Sequence, residues 1–465
     1  MKRRTRALVV AGMVSLLLVR VCDDEEAAVE VVAHVKLRER AGTAWMQVPG
    51  VAGAERLFGR SSLDLALDRM RAAIRSGREP PDLGRWRRVR LRGTAGEVAR
   101  ALAALERSPD LAAAFVPPVA ELATVARPPA DGDDESCPVK TPRYDFRQGY
   151  LRPAPAGIDA AFAWALPGGR GSAVRFADVE GAWNRAHEDL PGARMEDVGG
   201  RHMRSRHWQA HGTAVLGEVA ARDNQLGMTG IAPDVAGVVT SSIRDLGTAD
   251  AIDRAQAALG PGDVLLIELH AIGPRRRFIP VEFWDDVYDA VRIATGRGVV
   301  VVAAAGNGGE DLDHPRYRGK LDRAGRDSGA ILVGAGAPAE EGFVDRSRLD
   351  FSNYGSRLDV QGWGLMVATL DYGDLQGCDA DDRKYTALFG GTSSASPVVA
   401  GAALLVESVY RVERGCPLDP RALRSILAAT GTPQTDGPAG PARQRIGPRP
   451  DLARAIGEAL AVPCD

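Results

Sequence analysis

An α/β fold is predicted for this 465-residue chain, built on a doubly wound, mostly parallel sheet with helices on both faces and preceded by a small α+β domain. From residue 173 to 333, short apolar strand-like runs alternate with helical segments, the order that yields a mostly parallel sheet. The run from Gly298 to Ala305 is apolar throughout rather than alternating, as in a strand covered on both faces. A separate strand–helix–strand–helix–strand order occupies residues 29–116, and the length alone suggests two or three domains.

In chain order, Lys2, Arg3, Arg4 and Arg6 precede an apolar stretch from Ala7 to Val19. That is the form of an export signal or N-terminal anchor over residues 1–22, and it is too short for a membrane-spanning helix. Residues 23–125 form the α+β domain, with a strand at Val29–Leu37, a helix at Ser62–Ser76 and a strand at Trp86–Leu91. Thr94 and Glu97 make a capping box ahead of a helix whose Val98, Leu102 and Leu105 share one face. Pro109 ends that helix, and Ala112–Val116 resumes as a strand. Residues 126–150 begin Pro-rich and turn acidic, an exposed linker open to proteolysis. Residues 151–442 hold the sheet: strands at Ala173–Ala177, Gly237–Ser241, Val264–Leu269, Val299–Ala304 and Ile331–Val333. Helices are expected from His211 to Ala221, Ala249 to Leu259 and Glu282 to Thr295, and residues 443–465 read as a surface helix and tail.

Chemistry-bearing residues fall at the ends of these elements. Ser393 lies where Gly390-Gly391-Thr392 hands over to an apolar helix, and Pro397 is expected in its first turn. A serine at a helix start sits beside the positive end of the macrodipole, as a nucleophile generating an oxyanion requires. A serine also needs a base, and of seven histidines only His211, in His-Gly-Thr-Ala-Val-Leu-Gly, opens a comparable apolar helix. Asp178 ends the strand-like run Ala173–Asp178 and could orient that base. Asn307 closes the apolar run at Ala304-Ala305-Gly306-Asn307 and could donate to an oxyanion.

These segments resemble, in order, the motifs of the subtilisin-like serine proteases (subtilases, peptidase family S8). Gly391–Pro397 is similar to the Gly-Thr-Ser-x-Ala-Ser-Pro nucleophile motif, and His211–Gly217 to His-Gly-Thr-x-Val-x-Gly. Gly230–Pro233 and Phe351–Gly355 resemble two further family segments. The resemblance runs from about Ile158 to about Thr430. It implies a secreted or cell-envelope serine endopeptidase with an Asp178–His211–Ser393 triad, Asn307 as oxyanion donor and an acyl-enzyme intermediate. It also implies that residues Val29–Leu122 are a propeptide acting as intramolecular inhibitor and cut off by the enzyme itself. The strand ending Glu268-Leu269-His270 resembles the family's substrate-pairing strand, which ends Ser-Leu-Gly. Glu268, Leu269, His270, Ala304, Ala305 and Gly306 are therefore the expected substrate-binding residues. Glu268 and His270 are expected to narrow the cleft and favour basic side chains, unless Glu268 pairs with Arg275 or Arg276. Other uses of the same framework are a non-catalytic binding protein and a peptide ligase or acyltransferase.

Charge is balanced, with 59 Lys and Arg against 61 Asp and Glu, and no basic run interleaves with aromatics, which argues against a nucleic-acid partner. Polypeptide substrates and the chain's own propeptide are the expected partners. No metal-ligand spacing is present, and the chemistry requires no cofactor. The resemblance leaves structural calcium open, with Asp311 and Asp313, or Asp379, Asp381 and Asp382, as candidate carboxylates. Besides Cys22, the cysteines Cys137, Cys378, Cys416 and Cys464 can pair in three ways.

Overall fold

The computed structural model describes residues 28–125, 137–378 and 380–464. The signal or anchor segment 1–22, Cys22 and the acidic part of the linker lie outside the described residues.

The N-terminal domain is a four-stranded antiparallel sheet of order β2-β3-β1-β4 with two helices. Its elements are β1 (Val29–Leu37), β2 (Val51–Arg56), α1 (Ser62–Ser76), β3 (Trp86–Gly93), α2 (Ala95–Glu106) and β4 (Leu111–Phe115), and a short β5 (Ala120–Leu122) follows. The capping box forms as expected, Thr94 Oγ1 accepting from Glu97 N while Glu97 Oε2 accepts from Thr94 N. Val98, Leu102 and Leu105 then pack with Val31, Ala33, Val35, Val89 and Leu91. The exposed β2, with its small Ala-Gly-Ala centre, had no apolar pattern to announce it.

In the larger domain come α3 (Ala160–Trp164), β6 (Arg175–Glu180), β7 (Met195–Asp197), α4 (Arg206–Ala220), β8 (Gly237–Ser242), α5 (Thr248–Ala257) and β9 (Val264–Ile267). They are followed by β10 (Leu269–Ile272), β11 (Phe278–Pro280), α6 (Asp285–Gly296), β12 (Val300–Ala304), β13 (Ile331–Gly336), β14 (Val360–Trp363), β15 (Val367–Leu370) and β16 (Tyr385–Phe389). The last elements are α7 (Thr392–Arg414), α8 (Pro420–Thr430) and α9 (Leu452–Ala461). Seven strands pair in parallel in the order β14-β13-β12-β9-β6-β8-β7, the doubly wound sheet that the alternation predicts. Side chains alternate between the two faces, which is why the strands are apolar throughout. Phe176, Leu266 and Val302 join the core under α4 and α7, while Ala177, Leu265 and Val301 join the core under α5 and α6.

From β6 the chain passes through β7 and α4 to β8 on one side, then through α5 to β9 on the other. A sheet that reverses its winding opens a crevice at the carboxyl ends of the strands flanking the switch. Those ends are Glu180 on β6 and Glu268, directly after β9.

Three expectations are corrected by the packing. The run Val264–His270 is not one strand: it breaks at Glu268, so β9 belongs to the large sheet and β10 to a small sheet of order β11-β10-β5. Residues 443–465 are not a surface tail, because Leu452, Ala455, Ile456 and Ala459 on α9 are buried against the main core. Pro397 stands inside α7, beyond its first turn, so the Ser393 carbonyl has no intrahelical amide to accept from. Disulfides join Cys137 to Cys378 and Cys416 to Cys464, settling the pairing that the sequence left open.

Candidate active site

Ser393 is the second residue of α7 and is fully buried. Its helix starts after Gly391 (φ +117°), a conformation suited to glycine, and a Cβ there would overlap Ala123 O. His211 is also fully buried, but it lies in the second turn of α4 rather than at the start, since that helix begins at Arg206. Gly212 and Thr213 are therefore helical. Gly212 is small because a Cβ would overlap Ala182 O and press on Trp183. The His211 ring packs edge-on against Phe389, with centroids 5.4 Å apart.

The acid at the histidine is not the expected one. His211 Nδ1 lies 2.7 Å from Glu180 Oε1, whereas Asp178 Oδ2 accepts from Trp183 Nε1 at 2.7 Å and makes no ion pair with His211. The reason is strand length. β6 continues two residues past Asp178, so Asp178 and Glu180 share one face and Glu180 holds the carboxyl end. Gly181, directly after Glu180, is the breaker that marked the true end of the strand.

Asn307 follows β12. Its Oδ1 accepts from Thr392 N and Thr392 Oγ1, both at 2.9 Å, which fixes the amide and leaves Nδ2 buried without a hydrogen-bond partner. Gly306 (φ +92°) turns the chain there, donating its N–H to Thr392 Oγ1 at 3.2 Å. Ala304 and Ala305 are buried, and Ala305 O accepts from Asn353 Nδ2.

The crevice is crossed by the chain's own residues 120–125. β5 pairs antiparallel with β10, matching Leu122 with Leu269, Glu121 with His270 and Ala120 with Ala271. Beyond β5, Ala123 N donates to Glu268 O at 3.4 Å, and Val125 N donates to Gly390 O at 3.1 Å. Between them the Ala123 carbonyl accepts from Ser393 N at 2.9 Å. A Cβ placed on Gly391 would touch both Ala123 O and Asn307 Nδ2, so carbonyl and amide approach the same point.

The side chains of Glu268 and His270 are both buried while β5 fills the crevice. Glu268 is fully buried, and its Oε1 bonds Ser396 Oγ at 2.7 Å; Arg275 pairs with Glu310 instead. His270 stacks on Phe278 at 3.9 Å, and its Nδ1 accepts from Asn307 N at 3.3 Å. Glu218, on α4, is buried with no hydrogen-bond partner for either oxygen. From the sequence, Glu180 stands out only as an extra acid in the turn after Asp178, and Glu218 does not stand out.

Burial dominates the electrostatics. It pushes the carboxyls of Asp178, Glu180, Glu218 and Glu268 well above the ordinary range, with Glu180 adding to the effect on Asp178 and Glu268 to that on Glu218. Burial likewise pulls His211 and His270 down to about 3. Charge on any one of these groups is costly while the crevice is filled.

The carboxylates considered for calcium do not fit a cation. Asp313 is taken by Ser356 N and Oγ, Asp381 pairs with Arg206 and Lys384, and Asp382 accepts from Asn184 Nδ2. Asp379 lies outside the described residues, and among those described no three ligand side chains converge.

The sequence profile of the subtilase family matches residues 183–447, more than half of the chain, starting just after Glu180. Subtilisin DY of Bacillus licheniformis is 32% identical over 228 residues, 48% of this chain and 70% of that protein. Subtilisin Savinase of Lederbergia lenta is 31% identical over 201 residues, 42% of this chain and 62% of that protein. The alkaline protease of Alkalihalobacillus alcalophilus shares 31% over 201 residues, and the match spans 44% of its length. Among solved structures, the epidermin leader peptide processing serine protease of Staphylococcus aureus aligns with a TM-score of 0.56 at 17% identity, covering 92% of this chain and 98% of that one. Fervidolysin from Fervidobacterium pennivorans aligns at 0.55 and 18%, covering 96% and 63%. These two share the fold. The sequence match takes in His211, Asn307 and Ser393, gathered at one end of the sheet, and on it this chain belongs to the subtilase family.

Proposed function

We propose that the protein is the precursor of an exported serine endopeptidase that works through a Glu180–His211–Ser393 triad, and that its first substrate is its own Ala123–Thr124 bond. The observation that carries this is the Ala123 carbonyl, held 2.9 Å from Ser393 N beside the unpartnered Asn307 amide. Those two donors suit an oxyanion better than a ground-state carbonyl.

Ser393 Oγ adds to the Ala123 carbonyl carbon while His211 Nε2 takes its proton. Glu180, whose Oε1 lies 2.7 Å from His211 Nδ1, would accept the Nδ1 hydrogen bond as the imidazolium forms, fixing the tautomer and stabilising the charge. The imidazolium protonates the Thr124 nitrogen as the C–N bond breaks, leaving an acyl-enzyme on Ser393. Water, deprotonated by His211, then releases the new carboxyl end at Ala123. Until the product leaves, β5 occupies the strand that later polypeptide substrates would use, so residues 28–123 inhibit in place. Two disulfides and a basic, apolar N-terminus agree with an oxidising, extracytoplasmic setting.

N-terminal sequencing of the purified wild-type chain should find a fragment beginning at Thr124. Ser393→Ala, expressed without other proteases, should remain uncut. Cleavage at the same bond in Ser393→Ala, or a wild-type cut elsewhere, would refute the assignment.

A further inference from the structure

Behind Ser393, a count of hydrogens bears on the state of Glu268. Ser396 Oγ lies 2.6 Å from Thr392 O and 2.7 Å from Glu268 Oε1. Thr392 O can only accept, and a serine hydroxyl has one hydrogen to give. If that hydrogen goes to Thr392 O, as is usual for a helical serine four residues on, the contact with Glu268 needs its own proton. The carboxyl must supply it. Glu268 Oε2 remains without a hydrogen-bond partner, as does Ser393 Oγ, and the two groups are close enough to interact.

The surroundings favour a neutral carboxyl. Asp178 and Glu180 approach from β6 and Glu218 from α4, all acidic, and no arginine or lysine pairs with any of the four among the described residues. His211 on α4 and His270 on β10 are held uncharged by burial. The hydroxyls of Ser396 and Ser393 and the positive end of α7 pull the other way, toward an anion.

We infer that Glu268 is a positioning residue for the nucleophile: as a neutral acid it is anchored on Ser396 and leaves the Ser393 hydroxyl to His211, and as an anion it captures that hydroxyl. An ionised carboxylate is a much stronger acceptor than the carbonyl oxygen of a neutral acid. It would draw the Ser393 proton away from His211 Nε2 and place a second negative charge beside Glu180 and the developing oxyanion. The enzyme would therefore lose turnover on the alkaline side through Glu268. This rests on the proposed triad.

The test is the pH dependence of kcat and KM for processed wild type and Glu268→Gln on a neutral peptide substrate, with Ser393→Ala freed of residues 28–123 by an added protease as the inactive control. Glutamine keeps the shape and can donate to Ser396, but it never ionises. Wild-type kcat should fall about tenfold per pH unit above a midpoint, as for one ionising group, with KM steady. Glu268→Gln should have a kcat lowered at most several-fold at acid pH and no such fall. At two units above the midpoint it should exceed wild type by about tenfold or more. An unchanged alkaline limb in Glu268→Gln overturns the inference, and so does loss of activity at every pH in a variant that still melts cooperatively. Activity in Ser393→Ala would instead overturn the triad, so the two failures are distinguishable.

Discussion

Along α5 and α6, Asp250, Asp253, Asp286 and Asp289 each meet a donor from the N-terminal domain. At the carboxyl end of the sheet, Asp178, Glu180, Glu218 and Glu268 meet no arginine or lysine among the described residues. At the first place Gly59 N donates to Asp250 at 3.0 Å, Arg60 lies 3.2 Å from Asp253, and His34 Nδ1 lies 2.7 Å from Asp286. Lys36 Nζ and Trp86 Nε1 share Asp289 Oδ2 at 2.6 and 2.9 Å. A buried charge is tolerated when paired and strongly destabilising when its partner is removed. The paired acids hold two domains together. The unpaired acids cost stability, and they surround the one histidine and the one serine on which the proposed chemistry depends. The difference separates acids that build the molecule from acids that tune it.

The largest expected effect separates Glu180 from Asp178. Glu180→Gln should lower kcat by about a thousand- to ten-thousandfold, because an amide no longer fixes the His211 tautomer. Asp178→Asn should cost far less, since Trp183 still finds an acceptor. Equal losses in steady-state peptide hydrolysis would erase the distinction between the two acids.

Next is Asn307, the proposed oxyanion donor. Asn307→Ala should reduce kcat by about a hundred- to a thousandfold with KM little changed, a figure known from the corresponding donor of subtilisin. A change confined to KM would mean that the amide binds substrate rather than the intermediate.

On the paired side, Asp289→Ala strands Lys36 and the Trp86 indole. Truncating one partner of such a buried pair costs about 2 to 5 kcal/mol of binding. Residues 28–123 added in trans should then inhibit the processed Asp289→Ala enzyme at least about thirtyfold more weakly than wild type. Equal inhibition would show that the paired acids do not hold the domains together.

The smallest effect concerns Glu218. Burial, then Glu268, raises its carboxyl above the ordinary 4.5. A carboxyl raised on folding gives its full stabilisation below pH 4.5 and loses it as pH climbs through the folded value. Glu218→Gln should therefore match wild type in Tm near pH 4 and gain on it as pH rises, by about 2 to 4 °C per kcal/mol relieved. A Tm difference that stays flat with pH would place Glu218 among the paired acids.

His211, Asn307 and Ser393 were legible because each sits in a local pattern of glycines and small residues that close packing enforces. Gly212 meets Ala182 O and Gly391 meets Ala123 O, so the spacing survives in the sequence. The acid was misread because both Asp178 and Glu180 lie on the same face of β6, and an aspartate attracts attention before a glutamate does. Glu268 was misread because an apolar run gives no sign of where a strand leaves one sheet for another. The resemblance implied a segment that blocks the cleft, but the register of β5 was invisible: it depends on main-chain pairing across 147 residues of sequence, from Leu122 to Leu269, and main-chain groups have no side-chain signature.

β10 has only four residues and is flanked by β5 on one side and β11 on the other. On the proposed cleavage, departure of β5 would leave one row of β10 amides and carbonyls facing water. Such a row is an adhesive, ready to take any extended chain, including a misfolded neighbour or another copy's linker. Its brevity limits how far such growth can run. Residues 120–122, beyond the inhibition proposed for them, thus act as a dressing that covers the adhesive strip.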